Sequence, residues 1–274
     1  MSVTITAADI NKLRQTTGAG MLDCRKALTE SNGDFEAAID WLRKQGQKVA
    51  AKRSDREAKE GVVIAQTTAD HKSGIVLCIS CETDFVSKNA DFVAFAQSIA
   101  DAAIANDVKT AEELNGVTVN GAKVEELIND KLAAIGEKIA VSKFERVDAP
   151  YVASYIHGAN RMGVLVSMTK EAAEAGKDVA MQIAAMNPLA VDETSISQET
   201  KDREKAIAIE MIKAEGKPAE MAEKIADGKM NKFFKDNTLM AQAFVKDNSK
   251  SVADYLKSVD ADLKVTDFKR VALG

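Results

Sequence analysis

Apolar residues recur through the first forty-odd positions with the period of a helix. Thr6-Ala7-Ala8-Asp9 has the spacing of a capping box, and Ile10 and Leu13 follow on one face of the helix it would open. Thr17-Gly18-Ala19-Gly20 ends that helix, because two glycines in four residues favour a tight turn. Met21, Cys24 and Leu28, spaced i, i+3 and i+7, are the expected buried stripe of a second helix, which Asn32-Gly33 stops. Asp34 is placed to cap a third, with Ala37, Ala38, Trp41 and Leu42 turned inward. A small three-helix bundle is the expected result. From Lys44 to Glu60 the apolar period fades, and Lys48, Lys52, Arg53, Arg56 and Lys59 mix with Asp55, Glu57 and Glu60. A phosphate-binding arm and a solvated helical linker both fit, and the interleaved acids favour the linker.

The period shortens after Gly61. Val62-Val63-Ile64-Ala65 and Ile75-Val76-Leu77-Cys78-Ile79 read as strands, with Asp70 to Gly74 as the hairpin turn between them. A helix follows with Phe92, Phe95, Ile99, Ala103 and Ile104 as its stripe. A second strand pair, Tyr151 to Ile156 and Gly163 to Met168, precedes another helix carrying Val179, Met181, Ile183, Ala184 and Met186. The two blocks align loosely, Gly74-Ile75-Val76-Leu77 on Gly163-Val164-Leu165-Val166 and Ala96 to Ala100 on Ala180 to Ala184. The expected fold is α+β, with a core of two related halves, each an antiparallel sheet covered by helices. Glu199 to Ala214, with Ala206, Ile209, Met211 and Ile212, and a second arm with Met221, Ile225 and Phe233 are joined by the turn Gly216-Lys217-Pro218. They predict a charged helical hairpin projecting from the core. Leu263 to Val271 alternates as a last strand.

The chain has 274 residues, long enough for two domains, with Lys plus Arg 37 against Asp plus Glu 42, a net charge of −5. A nucleic-acid partner is disfavoured by that sign. No run of 18 uncharged apolar residues is present, so no membrane span is expected. Met1 to Ile5 lacks the pattern of a signal peptide and the three cysteines are an odd set, both of which point to the cytoplasm.

Candidate chemistry is sparse. No Gly-rich loop ends in Lys-Ser or Lys-Thr and no Gly-x-Gly-x-x-Gly follows a strand, so no direct nucleotide site is expected. Cys78 and Cys81 lack a second pair of zinc ligands, and on a strand they point to opposite faces. His71 and His157 have no nucleophile grouped with them. The expectation is no catalytic residue, no metal and no cofactor. An enzyme using Cys78 and Cys81, or His157, is the rival reading. A non-enzymatic adaptor that binds a protein or nucleic acid through the N-terminal helices is another.

Cys81-Glu82-Thr83-Asp84-Phe85-Val86-Ser87-Lys88-Asn89 joins a strand to a helix. Phe85 either folds back as core or protrudes as an anchor for a partner, with Asp84 beside it, and spacing alone favours the first.

Four segments in order resemble the bacterial elongation factor Ts family: Gln15-Thr16-Thr17-Gly18-Ala19-Gly20-Met21-Leu22-Asp23-Cys24-Arg25-Lys26-Ala27-Leu28; Thr83-Asp84-Phe85-Val86; His157-Gly158-Ala159-Asn160-Arg161-Met162-Gly163-Val164-Leu165-Val166; and Gly216-Lys217-Pro218 with Ala222-Glu223-Lys224-Ile225. The resemblance reverses the preference at Phe85. It implies an N-terminal module like a ubiquitin-associated domain at 1–55, core halves at 56–148 and 149–274, and the hairpin at about 195–235. It implies guanine nucleotide exchange on the protein GTPase elongation factor Tu. Thr83, Asp84, Phe85 and Val86 would form a wedge near that partner's Mg²⁺ site. Arg14, Met21 and Leu22 would touch another helix of its nucleotide-binding domain, and His157, Gly158 and Arg161 would face a β-barrel domain. Self-association, as a homodimer or a 2:2 complex, is left open.

Overall fold

The computed structural model describes residues 4–53, 55–216 and 218–274. Met1 to Val3, part of the segment read for a signal peptide, and Lys217 of the hairpin turn lie outside the described residues.

Helices α1 (Ala7–Thr17), α2 (Met21–Glu30) and α3 (Phe35–Arg53) form the N-terminal bundle. The Thr6 hydroxyl accepts from the Asp9 amide at 3.2 Å while Asp9 accepts from the Thr6 amide at 2.9 Å, a reciprocal cap. Gly18 ends α1 at φ +69°, a left-handed cap that glycine adopts without strain. Asp34 accepts the Ala37 amide at 2.9 Å and starts α3. Leu13, Cys24, Ala27, Leu28, Ala38 and Leu42 are the core. Met21 is not: burial begins a turn later, at Cys24, and Met21 stands exposed at the first residue of α2. Ala37 is also exposed, on the other side of α3 from Ala38 and Leu42.

The segment after Lys44 is helical as expected but not freely solvated. Helix α3 continues to Arg53 and lies against α7 (Val124–Ile135). Gly46 allows the approach, since a Cβ there would lie 2.8 Å from that of Ala133. Val49 packs onto the core of the first half.

The first half is the antiparallel sheet β1 (Glu60–Thr67), β2 (Ser73–Cys81) and β5 (Ala140–Asp148), in order β1-β2-β5. Between β2 and β5 run α4 (Asp84–Ser87), α5 (Ala90–Ala105), α6 (Ala111–Gly116), a ribbon of β3 (Thr118–Val119) and β4 (Ala122–Lys123), and α7. Periodicity names no element between Ile104 and Tyr151. The signal in α7 is a short stripe, Val124, Ile128 and Leu132. β5 is an edge strand whose mostly solvated positions show no clear alternation.

The second half is the sheet β6 (Tyr151–His157), β7 (Met162–Met168) and β10 (Val265–Ala272), with β7 central. Helix α8 (Ala173–Met186) covers it. Helices α9 (Gln198–Ala214) and α10 (Ala219–Asn237) form the hairpin. A small ribbon, β8 (Ala243–Phe244) and β9 (Asp247–Ser251), and helix α11 (Val252–Val259) complete it. Several stripe residues shift outward. Phe95, Ile104, Met181, Ile209, Ile225 and Phe233 are half-buried, and Met186, Ala206, Met211 and Met221 are exposed. In the hairpin, Ala208 and Ile212 meet Ala222 and Ala226, so small residues on α10 bring the two arms together.

The two sheets pack face to face through Val63, Ala65, Val76, Cys78, Val152 and Leu165. Helices α5 and α7 cover the outer face of the first sheet, and α8 and α11 that of the second. β2 therefore reads as a nearly continuous apolar run because both of its faces are buried, unlike a half-solvated strand.

Candidate partner-binding site

β2 leaves the sheet at Cys81 and turns into the four-residue helix α4. Phe85 lies on it and is 85% exposed, so it does not fold back as core. Its neighbour Val86 does turn inward, against the core of the first half. Asp84 is paired with Lys88 at 2.6 Å, and that ammonium holds its carboxyl below the usual carboxylate range. The protrusion thus carries one aromatic ring next to one anion.

Two carboxylates grip its base. Glu137, just past the left-handed Gly136 that caps α7, accepts the amides of Glu82 and Thr83 at 3.1 and 3.0 Å and the Thr83 hydroxyl at 2.7 Å. Glu82 accepts the Lys138 amide at 2.7 Å, Arg53 at 2.7 Å and Arg56 at 3.0 Å. These donors, the Lys138 amide first, lower the Glu82 pKa to about 2. Arg53 ends α3, so Glu82 ties the N-terminal bundle to the protrusion. Arg53 and Arg56 are members of the charged segment that spacing reads as linker; nothing local in the sequence marks Glu82 as their counterpart, or Glu137 as the acceptor for the Glu82 and Thr83 amides.

A cleft of about 950 Å³ separates the bundle from the first half. Gln15, Thr16, Asp23 and Trp41 line one side; Phe85, Phe95 and Ile135 line the other. Arg14, Met21 and Leu22 are exposed on the bundle, Leu22 at 81%. Leu22 and Phe85 are the two most exposed large apolar side chains among the described residues.

His157 ends β6, and Gly158 and Arg161 lie in the turn that leads to β7, all three exposed. Asn160 holds this turn against β1: its side chain donates to the Val63 carbonyl at 3.1 Å, and its own carbonyl accepts the Val63 amide at 2.8 Å. Arg161 pairs with Glu60 at 2.8 Å. Glu60 is the register partner of Cys81, so the turn stands beside the strand end that carries the protrusion. The His157 ring meets the Tyr155 hydroxyl at 3.0 Å, and the His157 carbonyl accepts the Arg161 amide at 3.2 Å.

Residues 82–274 match the family model described as elongation factor TS. Over 273 residues the chain is 50% identical to the elongation factor Ts of Christiangramia forsetii, covering 98% of this chain and 99% of that one. It is 50% identical over 274 residues to that of Flavobacterium psychrophilum, covering 99% of each. Over 282 residues it is 43% identical to that of Clostridium perfringens, covering 98% of this chain and 93% of the relative. The chain belongs to the elongation factor Ts family. It is a translation elongation factor, acting in protein biosynthesis.

The rest of the chemistry in this chain is quiet. Cys24, Cys78 and Cys81 are free and buried. Cys78 faces the other sheet and Cys81 the helices, so the two thiols do not converge. Burial pushes all three thiols up; Cys81, with the Glu137 carboxylate adding to burial, rises to about 12. Such burial disfavours the thiolate that a cysteine nucleophile requires. Among the described residues no three His, Cys, Asp or Glu side chains are placed to hold a metal ion, and no helix is long and apolar enough to cross a membrane.

Proposed function

We propose that the chain is a guanine nucleotide exchange factor for elongation factor Tu, and that the Asp84-Phe85 protrusion is its working part. The observation that carries the reading is Phe85, an aromatic ring 85% exposed on a helix whose base is anchored by two carboxylates. An exposed aromatic on a fixed support is the form that an interface anchor takes before binding. Arg14, Met21 and Leu22 on the bundle, and His157, Gly158 and Arg161 on the β6–β7 turn, are the flanking contacts in this reading. The bundle to residue 55, the half at 56–148 and the half at 149–274 with its hairpin would each address a different part of the partner.

A GTPase holds its nucleotide through backbone amides, a lysine and a Mg²⁺ that bridges the phosphates. A ring wedged between helices beside that ion weakens these contacts together, so the exchange factor supplies no nucleophile, metal or nucleotide pocket of its own. It changes a binding equilibrium and its rate, and no covalent bond. Linkage makes the effect reciprocal: the factor by which this protein weakens GDP is the factor by which GDP weakens this protein. Incoming nucleotide can therefore release a complex that is tight when empty.

The test is release of a fluorescent GDP analogue from elongation factor Tu, followed by stopped flow with and without the protein. Acceleration by the wild type that is largely lost in Phe85→Ala and Asp84→Ala supports exchange by this wedge. Equal acceleration by all three keeps exchange and moves the work to the flanking contacts. No acceleration by the wild type sinks the reading.

A further inference from the structure

Helix α4 cannot orient itself. It has four residues, none of them buried, and a helix that short does not recover the cost of its first turn. Its N-cap residue, Thr83, makes no side-chain cap to the helix, because its hydroxyl is turned to Glu137. The strand ladder has already ended, with Cys81 paired to Glu60. The amides of Glu82 and Thr83 would lack an acceptor at that exit, and the Glu137 carboxylate takes both. The exchange is mutual, since Glu82 takes the amide of Lys138, the residue after Glu137. Helix α4 also rests on β1, β2 and α5, with Val86 on the core and the Cys81 thiol on the Thr83 carbonyl; the clasp fixes the stretch of chain that leads into it.

We infer that Glu137 is a positioning residue for nucleotide exchange: it presents Phe85 to the partner in one orientation and acts on exchange only through that ring. The inference rests on the proposed wedge. A carboxylate accepting three hydrogen bonds removes the ordering cost that a loose loop would meet on binding. Without it, binding has to order the exit from β2 as well as dock the ring.

The experiment measures GDP release from GDP-bound elongation factor Tu with the full-length protein and its Glu137→Ala, Glu137→Gln, Phe85→Ala and Glu137→Ala/Phe85→Ala variants. Glu137→Ala is expected to slow exchange roughly tenfold, the scale of a lost charged hydrogen-bond set. Glu137→Gln keeps most of the rate, since its oxygen can take both amides and its NH₂ can donate to the Thr83 hydroxyl. In the Phe85→Ala background, loss of Glu137 is expected to add nothing, a non-additivity that general destabilisation would not produce. Hydrogen exchange gives a readout without the partner: the Glu82 and Thr83 amides lose protection in Glu137→Ala while the β1–β2 ladder keeps it. If Glu137→Ala fails to fold, Thr83→Val removes only the hydroxyl contact and is expected to give a smaller loss, again absent with Phe85→Ala. Wild-type exchange by Glu137→Ala, losses that multiply in the double variant, or unchanged amide protection overturns the inference and leaves the wedge standing. Wild-type exchange by Phe85→Ala instead overturns the wedge, and this inference with it.

Discussion

Val76 of the first sheet fills the space over Gly163 of the second: a Cβ at Gly163 would lie 2.8 Å from the Val76 Cγ2. The relation is returned by the other pair. A Cβ at Gly74 would lie 3.1 Å from the Leu165 Cδ2. Gly74 and Gly163 occupy corresponding places in the two halves, as do Val76 and Leu165, so each half supplies a flat spot for the other half's branched side chain. Neither glycine is in the left-handed region; both are required for close approach alone.

Gly163→Val is accordingly expected to destabilise the protein by about 1–3 kcal/mol, the usual cost of overpacking a filled core. Val63 and Ala65 also stand 2.9 and 3.1 Å from the added Cβ, leaving no direction in which it can give way. Chemical denaturation measures the loss; an unchanged midpoint would mean that the sheets separate freely.

Gly228 lies inside α10 with nothing within 4 Å of an added Cβ. Gly228→Ala should stabilise the hairpin by about 0.5–1 kcal/mol through helix propensity. The readout is slower amide exchange along α10. A loss of stability would place an unseen contact on that face.

Phe85→Ala should leave the unfolding midpoint within about 0.5 kcal/mol of wild type, because the ring contributes almost nothing to the folded core. The same substitution is the one expected to cost most in exchange. A large fall in stability would show that the ring is packed in solution and is no free anchor.

Glu82 makes stability depend on acid. Its carboxyl is lowered from 4.5 to about 2 by the Lys138 amide and by Arg53 and Arg56. Between these values the unfolded chain binds the proton more readily, so stability rises with pH there. The contribution is present in full above about pH 4.5 and is lost as pH falls toward 2. Glu82→Gln should flatten that part of the profile in acid unfolding; an unchanged slope would place the dependence on other carboxylates.

All three thiols should resist a disulfide reagent in the native protein at pH 8 and react once it is denatured. Burial and the raised pKa of each withhold the thiolate that the reagent requires. Rapid native labelling of Cys81 would contradict its placement beneath the helices.

Much of the fold was legible from short-range patterns. The Thr6–Asp9 box, the Asn32-Gly33 stop and the β1–β2 hairpin are decided by residues a few positions apart, and the structure has each of them. Periodicity places Met21 in the core without telling how far along α2 its neighbours extend, and it places Ala37 there although the buried face of α3 runs through Ala38 and Leu42. The elements from α6 to β5 are not legible in the sequence, because brief stripes and a half-solvated edge strand leave little period to detect. For the site, Thr83 to Val86 could be named from the chain, and the choice between core and anchor for Phe85 could not. Both outcomes satisfy the same local spacing.

By itself the sequence determined the caps, turns, apolar stripes and family motifs, since each depends on propensities and contacts within a few residues. Only the tertiary structure decided that Glu137 takes the amides of Glu82 and Thr83, over fifty positions away, and that Arg53 closes on Glu82. It likewise decided that Val76 rests on Gly163. The physical reason is the same for each. A carboxylate finds its donors, and a glycine its covering side chain, only when separate segments have been packed together, and no periodicity along one segment encodes the partner on another.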